Sequence, residues 1–198
     1  MSDVSRNLGR LILVVGPSGA GKDTLINRAR AALEGDATFV FARRVVTRPS
    51  SLWEEHDSLT PQAFAEALAA GRFALAWNAH GLDYGLPREI DEAMAAGRSV
   101  VCNVSRRIIA AARQRYAKVI VVYVDAPADV LAARLRARAR ESDVEHRQQR
   151  QSDFAAPEAD VVIDNGGDVE TAAATFLRAL IRDQGSEFRD QGSEVRRP

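Results

Sequence analysis

A glycine-rich turn between an apolar run and a helix-like segment constrains this chain more than any other stretch. The turn covers residues 16–23, and the apolar run covers residues 11–15. Backbone N–H groups of such a turn, with the positive end of the next helix, surround a nucleotide's β-phosphate, and the lysine reaches the β- and γ-phosphates. We therefore expect ATP or GTP to bind Gly16, Pro17, Ser18, Gly19, Ala20, Gly21, Lys22, Asp23 and Thr24. Asp23 stands where this pattern usually has Ser or Thr on magnesium.

Apolar runs of strand length alternate with Ala-rich segments of helical period. The strand-like runs cover residues 11–15, 38–46, 73–77, 99–102, 119–124 and 160–163. The helical segments cover residues 21–33, 61–70, 87–96, 106–116, 128–139 and 169–181. This alternation predicts an α/β fold with a parallel sheet covered by helices on both faces. Ligands of such sheets bind at the carboxyl ends of the strands, where the glycine-rich turn lies.

Length and local composition predict one domain with a lid. A chain of 198 residues suits a single domain, which we place at residues 1–181. Residues 134–151 are rich in charge and poor in apolar side chains, which favours an exposed helical hairpin or a mobile lid. The polar segment 182–198 contains a near duplication, and we expect it to be disordered.

Composition narrows the class of partner. The 27 Lys and Arg residues balance the 27 Asp and Glu residues, so the net charge predicts neither a nucleic acid nor a membrane surface as partner. Cys102 is the only cysteine, which excludes an internal disulfide framework and fits a reducing compartment. No apolar run approaches the roughly 20 residues that span a bilayer. We expect a cytosolic protein with a small-molecule partner, and the sequence leaves a homodimer open.

Several side chains near predicted strands could bind phosphate. Arg44 and Arg48 share strand parity, so they form either a bidentate phosphate clamp or a solvated strand edge. Tyr84 either donates its hydroxyl to a phosphate oxygen or belongs to a simple turn. Asn165 follows the last predicted strand, where it either meets the nucleotide base or turns the chain.

The arginine-rich segment from residue 134 onward would spread positive charge around a helix. Such a segment is usually a solvated surface. Beside a phosphate-binding turn, however, it favours a lid that closes over the transferred phosphoryl group, because this chemistry needs charge neutralisation and exclusion of water. The candidates are Arg138, Arg140 and Arg147, with Arg134 on the nucleotide.

The order and spacing of these motifs resemble the guanylate-kinase-like family of P-loop kinases. The resemblance extends from about residue 11 to residue 181, which is nearly the whole chain. It implies ATP as the phosphoryl donor, Arg48 and Tyr84 on the acceptor's phosphate, and Asn165 at the adenine edge. It also implies that Lys22, Arg138 and Arg147 act on the transferring phosphoryl group.

The chain departs from guanylate kinases at positions that concern the substrate and the metal. Leu75 falls about where those enzymes carry the glutamate that reads guanine, so guanine recognition should fail. Arg44 falls near a phosphate-binding serine and adds positive charge to the acceptor pocket. Asn103 stands where an acidic Asp-x-Asp would begin. We hypothesise that Asp23 compensates by giving Mg²⁺ a hard oxygen ligand, directly or through a water.

The combination of the motifs at residues 16–23, 47–49, 80–85 and 103–106 resembles one branch of this family, whose members act in phosphonate degradation. It implies transfer of the γ-phosphoryl group of ATP to the 1-phosphate of ribose 1,5-bisphosphate, giving 5-phosphoribosyl 1-diphosphate and ADP. An acceptor phosphate is already anionic and needs no general base. We expect Asn78, His80 and Asp83 near the ribose hydroxyls. The alternatives are a nucleoside-monophosphate kinase, a kinase of another phosphorylated sugar, and a non-catalytic binding module of the same fold.

Overall fold

The computed structural model describes residues 9–49, 56–139 and 159–182. Strands and helices alternate along these ranges, and a short 3-10 helix (Arg106–Ile108) leads into α4. The strands are β1 (Leu11–Val15), β2 (Phe39–Phe41), β3 (Val45–Val46), β4 (Asp57–Ser58), β5 (Phe73–Ala79), β6 (Leu82–Pro87), β7 (Ser99–Asn103), β8 (Val119–Asp125) and β9 (Val161–Asp164). The helices are α1 (Lys22–Ala32), α2 (Pro61–Ala69), α3 (Glu89–Ala95), α4 (Ile109–Arg115), α5 (Ala128–Ala139) and α6 (Val169–Ile181).

The main sheet is entirely parallel, with the strand order β2-β7-β1-β8-β9. The central strand is β1, and all of its residues are buried. Strands that are covered on both faces read as continuous apolar runs, which is why β1 stands out in the sequence. The predicted parallel sheet is therefore confirmed.

Helices cover both faces of this sheet, as the sequence predicted. Successive residues of β1 point to opposite faces. Its odd-numbered residues pack in a cluster that includes Ile90 of α3 and Ile109 of α4. Its even-numbered residues pack with Leu25 of α1 and Phe176 of α6. Burial on both faces fixes β1, and hence the turn that follows it.

A second sheet, with the strand order β4-β3-β6-β5, comes between β2 and β7 in the chain. Strand β3 pairs in parallel with β4 and antiparallel with β6, while β5 and β6 form a hairpin. The hairpin turn is His80-Gly81, and its φ angles of 54° and 72° are both positive, as a type I′ turn requires. This sheet stands beside the carboxyl edge of the main one.

Three sequence expectations differ from the structure here. The single strand expected at 38–46 is two strands, because the chain leaves the main sheet after the bond from Ala42 N–H to the Val101 carbonyl. The strand expected at 73–77 extends to Ala79 and pairs antiparallel in the second sheet. Strand β6 was not predicted, since it contains Gly85 and Pro87, which are depleted in strands.

The helix expected at 128–139 has those bounds in the structure, as α5. Arg138 belongs to this helix, but its side chain lies outside the description, as do Arg140, Arg147 and the rest of the predicted lid from residue 140 onward. The predicted disordered tail lies outside the described residues from 183 onward. Within the described ranges, no helix is both long and apolar enough to cross a membrane.

Candidate active site

An open cleft lies where the carboxyl edge of the main sheet meets the second sheet. Its cavity volume is about 160 Å³. Its walls come from the turn after β1, the segment after β7, and the second sheet. The lining residues are Gly16, Pro17, Ser18, Gly19, Gly21, Lys22, Asp23, Arg44, Arg48, Trp77, Ala79, His80, Tyr84, Asn103, Val104, Ser105 and Arg106.

The turn after β1 needs its glycines for space as well as for conformation. Gly16 and Gly21 have φ angles of 146° and 87°, which side chains rarely allow. A Cβ at Gly16 would lie 2.0 Å from the Val124 carbonyl oxygen, and one at Gly21 would lie 2.3 Å from the Asn165 amide nitrogen. The turn is therefore packed tightly against the main sheet.

Lys22 opens α1 and reaches back over this turn. Its Nζ donates to the carbonyl oxygens of Gly16 and Pro17, at 2.9 and 2.8 Å. These bonds place the ammonium at the wall of the cleft and inside the turn. A phosphate group held by the turn's N–H groups would lie beside this charge.

Asn165 and Arg134 support the turn through hydrogen bonds to backbone carbonyl oxygens. Asn165 is 2% exposed, and its Nδ2 donates to the Ala20 carbonyl oxygen at 2.7 Å. Arg134 donates from Nη2 to the Asn165 carbonyl oxygen at 2.9 Å and from Nη1 to the Gly19 carbonyl oxygen at 3.4 Å. Arg134 thus contacts the glycine-rich turn itself. The contacts of Arg134 with the nucleotide and of Asn165 with adenine stay predictions.

Asp23 and Asn103 form a hydrogen-bonded pair across the cleft floor. The Nδ2 of Asn103 donates to Asp23 Oδ1 at 2.7 Å, and Arg44 Nη1 donates to the Asn103 carbonyl oxygen at 3.2 Å. Within the described residues, Asn103 Oδ1 is buried and has no hydrogen-bond partner. Two hard oxygens of the kind that Mg²⁺ prefers therefore come from neighbouring side chains.

The second sheet supplies the far wall of the cleft. Tyr84 stacks on Trp77 with ring centroids 5.4 Å apart and planes inclined by 9°. Arg48 lies just past the end of β3, whose Val46 pairs with Tyr84. The buried His56 places its Nε2 3.4 Å from the Arg48 carbonyl oxygen. The predicted phosphate ligands Arg48 and Tyr84 thus line one cleft with Lys22.

Other predicted residues lie differently. Asn78 is exposed, does not line the cleft, and donates from Nδ2 to Asp83 Oδ1 at 2.8 Å. Thr24 is exposed on α1 and also lies outside the lining. Leu75 is buried in the main core, so the cleft wall from β5 consists of Trp77 and Ala79 instead.

Three residues that were not predicted as site residues, Trp77, Ser105 and Arg106, also line the cleft. The last two follow β7, and residues after the strands of a parallel sheet are the ones that meet at its ligand-binding edge. That rule could have identified both. Trp77 gave no such signal, since its place in the cleft depends on the unpredicted pairing of β5 with β6.

The charges that line the cleft are strongly unbalanced. Among the described lining residues, Asp23 is the sole carboxylate, whereas the cations are Lys22, Arg44, Arg48 and Arg106. Low-dielectric walls concentrate such a field and favour polyanionic ligands. The described residues contain no group of three or more His, Cys, Asp or Glu side chains suited to a metal.

Comparisons with known proteins show the family of this chain. A family model described as an AAA domain matches residues 11–159. Curated relatives from Rhodopseudomonas palustris, Bradyrhizobium diazoefficiens and Methylobacterium radiotolerans are 56%, 51% and 50% identical to this chain. Each match covers 87% of this chain and, in the same order, 88%, 88% and 97% of the relative. All three relatives are named ribose 1,5-bisphosphate phosphokinase PhnN.

A solved structure confirms the predicted type of fold. Guanylate kinase from Anaplasma phagocytophilum matches with a TM-score of 0.65 over 90% of this chain and 88% of that one. The sequence identity is 19%, so this likeness concerns the fold alone. The chain belongs to the AAA-domain family of the matching model and to the family of ribose 1,5-bisphosphate phosphokinases PhnN.

Proposed function

We propose that this protein transfers the γ-phosphoryl group of ATP to the 1-phosphate of ribose 1,5-bisphosphate. The products are 5-phosphoribosyl 1-diphosphate and ADP. One observation carries the proposal: a single cleft joins the nucleotide turn and Lys22 to three arginines and a tyrosine. The names of the relatives at 50% to 56% identity supply the substrate class.

The donor half of the cleft fits the triphosphate of ATP. The turn offers N–H groups at the start of α1, and Lys22 lies within it. Asn165 and Arg134 hold the turn in this shape through its carbonyl oxygens. We assign Lys22, with the predicted lid residues Arg138 and Arg147, to the transferring phosphoryl group.

The acceptor half fits a small, doubly phosphorylated sugar better than a nucleobase. Arg44, Arg48 and Arg106 line it, while within the described lining no carboxylate lies on the side of the second sheet. A guanine ring presents hydrogen-bond donors, and a site without a carboxylate to accept from them binds it poorly. The stacked rings of Trp77 and Tyr84 offer an apolar surface to the ribose.

The reaction needs positioning and charge neutralisation. An oxygen of the acceptor's 1-phosphate forms a bond to the γ-phosphorus of ATP, and the bond from that phosphorus to the β,γ-bridging oxygen breaks. The leaving ADP keeps the bonding electrons, and no proton has to leave the attacking oxygen. We assign Lys22 to neutralise negative charge on the β,γ-bridging oxygen and on the non-bridging oxygens of the β- and γ-phosphates.

The paired Asp23 and Asn103 fit a magnesium ion. We propose that the Asp23 carboxylate holds Mg²⁺, directly or through a water, with Asn103 orienting that carboxylate. The buried and unpartnered Asn103 Oδ1 offers a further oxygen to the metal's hydration shell. When bound, Mg²⁺ would neutralise negative charge on the nucleotide's phosphate oxygens.

A coupled assay of ADP release tests the function. ATP and Mg²⁺ are supplied with ribose 1,5-bisphosphate, GMP, AMP or ribose 5-phosphate as acceptor. We expect turnover with the bisphosphate alone. Turnover with GMP would replace the proposal with a nucleoside-monophosphate kinase, and silence with all four acceptors would point to another phosphorylated sugar or to a binding module.

A cytosolic location and an open question about assembly accompany this proposal. ATP, Mg²⁺ and reduced thiols are features of the cytosol, and Cys102 is a free, buried thiol. The homodimer that the sequence leaves open can be measured by light scattering on the protein used in the assay. Fractionation of cells that express the protein measures its location.

A further inference from the structure

We propose that Arg106, together with Arg44, forms a second phosphate subsite, which binds the acceptor phosphate that does not react. This inference rests on the proposed function and names the residues that distinguish a bisphosphate from a monophosphate. It makes Arg106 a specificity-determining residue of the acceptor half.

The local fold holds Arg106 at the cleft wall. It begins the 3-10 helix after β7, and the Ser105 side chain caps that helix by accepting from the Arg107 backbone N–H. The next residues, Ile108 and Ile109, are buried in the main core and anchor the turn. Arg106 is half-buried and lines the cleft, whereas Arg107 is exposed and does not line it.

Arg44 approaches the same place from the neighbouring element. Its Nη1 donates to the carbonyl oxygen of Asn103, the last residue of β7. Arg106 follows three residues later in the chain. Arg44 therefore contacts the first residue of the segment 103–106, Arg106 is its last residue, and both arginines line the cleft.

Electrostatics agree with this placement of Arg106. Burial raises the pKa of Tyr123 on β8, and the Asp125 charge raises it further, while the Arg106 charge opposes both. The Arg106 guanidinium therefore lies near Tyr123, at the carboxyl edge of the main sheet.

Arg48 is mounted at a different point. Arg44 immediately precedes β3, whereas Arg48 lies two residues beyond its other end, where the chain bends out of the strand. Arg48 instead accompanies Tyr84, which pairs with Val46 beside it. On this assignment, Arg44 and Arg106 form one cationic group at the end of β7, and Arg48 forms the other with the Tyr84 hydroxyl.

Two cationic groups match the chemistry of a sugar that carries two phosphates. Each phosphate dianion is bound best by planar guanidinium groups that donate two hydrogen bonds at once. Resemblance to the wider family places Arg48 and Tyr84 on the phosphate that reacts. The group at the end of β7 is then left for the phosphate at carbon 5.

The test compares two acceptors on matched variants. Ribose 1,5-bisphosphate and ribose 1-phosphate differ only in the 5-phosphate, and calorimetric titration gives their dissociation constants without any need for turnover. Arg106→Gln should weaken binding of the bisphosphate by about 30-fold and that of ribose 1-phosphate by less than twofold, since one charge-assisted contact is lost. Arg106→Lys should recover part of the loss, and Arg107→Gln should bind both sugars as the wild type does.

The outcomes separate this inference from the function on which it rests. Wild-type protein that turns over the bisphosphate, together with an Arg106→Gln variant that binds it normally or loses both sugars equally, would overturn the subsite alone. Equal wild-type affinity for the two sugars would overturn it as well. Failure of the wild type to use ribose 1,5-bisphosphate would overturn the proposed function and the subsite together.

Discussion

The side-chain amide of Asn103, the last residue of β7, donates to one carboxylate oxygen of Asp23, in the first turn of α1, at 2.7 Å. The pair joins the first turn of the nucleotide-binding helix to the strand that ends beneath the acceptor half. Arg44 extends this connection, because it donates to the Asn103 carbonyl oxygen. A substitution at any of these three residues should therefore alter binding in both the donor half and the acceptor half of the cleft.

The first prediction concerns Asp23 and magnesium. Asp23→Ser removes the carboxylate, so we expect the Mg²⁺ concentration for half-maximal activity to rise about tenfold, at roughly 1.4 kcal/mol per decade. A titration of activity against Mg²⁺ measures this. Binding of Mn²⁺ in the presence of ADP, followed by electron paramagnetic resonance, gives a second readout that does not depend on turnover.

The reciprocal variant is its control. Asn103→Asp added to Asp23→Ser returns one carboxylate to the pair and should recover part of the Mg²⁺ affinity. Asn103→Asp alone sets two carboxylates against each other, which raises the pKa of one of them and destabilises the fold. An unaltered Mg²⁺ requirement in Asp23→Ser would contradict the assignment.

The second prediction concerns the two lysines of the chain, Lys22 and Lys118. Lys22→Ala should lower kcat at least a thousandfold, because its charge lies in the nucleotide turn and the reaction depends on charge neutralisation. Lys118→Ala is the matched control, since that side chain is exposed beside β8. Equal effects of the two variants, in assays at saturating ATP, would contradict the role of Lys22.

The third prediction concerns the hydroxyl of Tyr84. Tyr84→Phe keeps the ring that stacks on Trp77 and removes only the proposed phosphate ligand. We expect KM for the acceptor to rise about tenfold, as for the loss of one hydrogen bond to a charged group. KM for ATP and the melting temperature should stay near their wild-type values. A rise in KM for ATP of the same size would place the hydroxyl in the donor half instead.

The fourth prediction separates two roles of Asn165. Its amide supports the nucleotide turn through Ala20, so Asn165→Ala should weaken ADP and GDP binding by a similar factor of about five. Equilibrium titration with each nucleotide measures this. A selective loss of ADP affinity would instead support the adenine contact that family resemblance implies.

The fifth prediction concerns Cys102. Burial raises the pKa of this thiol from 9.0 to about 12, although the Arg44 charge opposes the rise. Native protein at pH 8 should therefore react with a disulfide reagent only as fast as it opens, whereas denatured protein should react at once. Cys102→Ser removes the signal. Rapid reaction of fully native protein would show that the strand is not buried as described.

The sign of the pH dependence follows from the same shift. The folded state holds the thiol proton more tightly than the unfolded chain does, so the stabilising effect is complete below pH 9.0 and is lost as the pH rises toward 12. Denaturation at several pH values should show the free energy of unfolding falling in this range. The fall should be smaller in Cys102→Ser.

The main sheet and the nucleotide half could be predicted from the sequence because their signals are local. Strand β1 is an unbroken apolar run, and Gly16, Gly21 and Lys22 stand at fixed spacings after it. Helix α5 has its predicted bounds. These features need only the chain's own periodicity and the chemistry of a glycine-rich turn.

The acceptor half could be predicted only in part, because it depends on long-range pairing. Strands β3 and β4 have two residues each, which is too short for a periodic signal. The wall residue Trp77 faces the cleft only because β5 pairs with β6. Leu75 was matched to the guanine-reading position by its spacing from Tyr84 alone. Such spacing does not say which face of a strand a residue occupies, and Leu75 lies in the core rather than at the cleft wall.

The chain leaves the main sheet after β2, forms the second sheet, and returns to the main sheet at β7, which lies beside β2. Strands β2 and β7 are neighbours, with Phe39 paired to Ser99, although most of the acceptor half lies between them in the chain. The entropic cost of closing such a loop rises only slowly with its length. The stability of the nucleotide-binding part of the fold therefore depends little on the length of the segment between β2 and β7. Evolution, or a protein engineer, can thus exchange most of the acceptor half as one contiguous segment while every residue of the nucleotide turn stays unchanged.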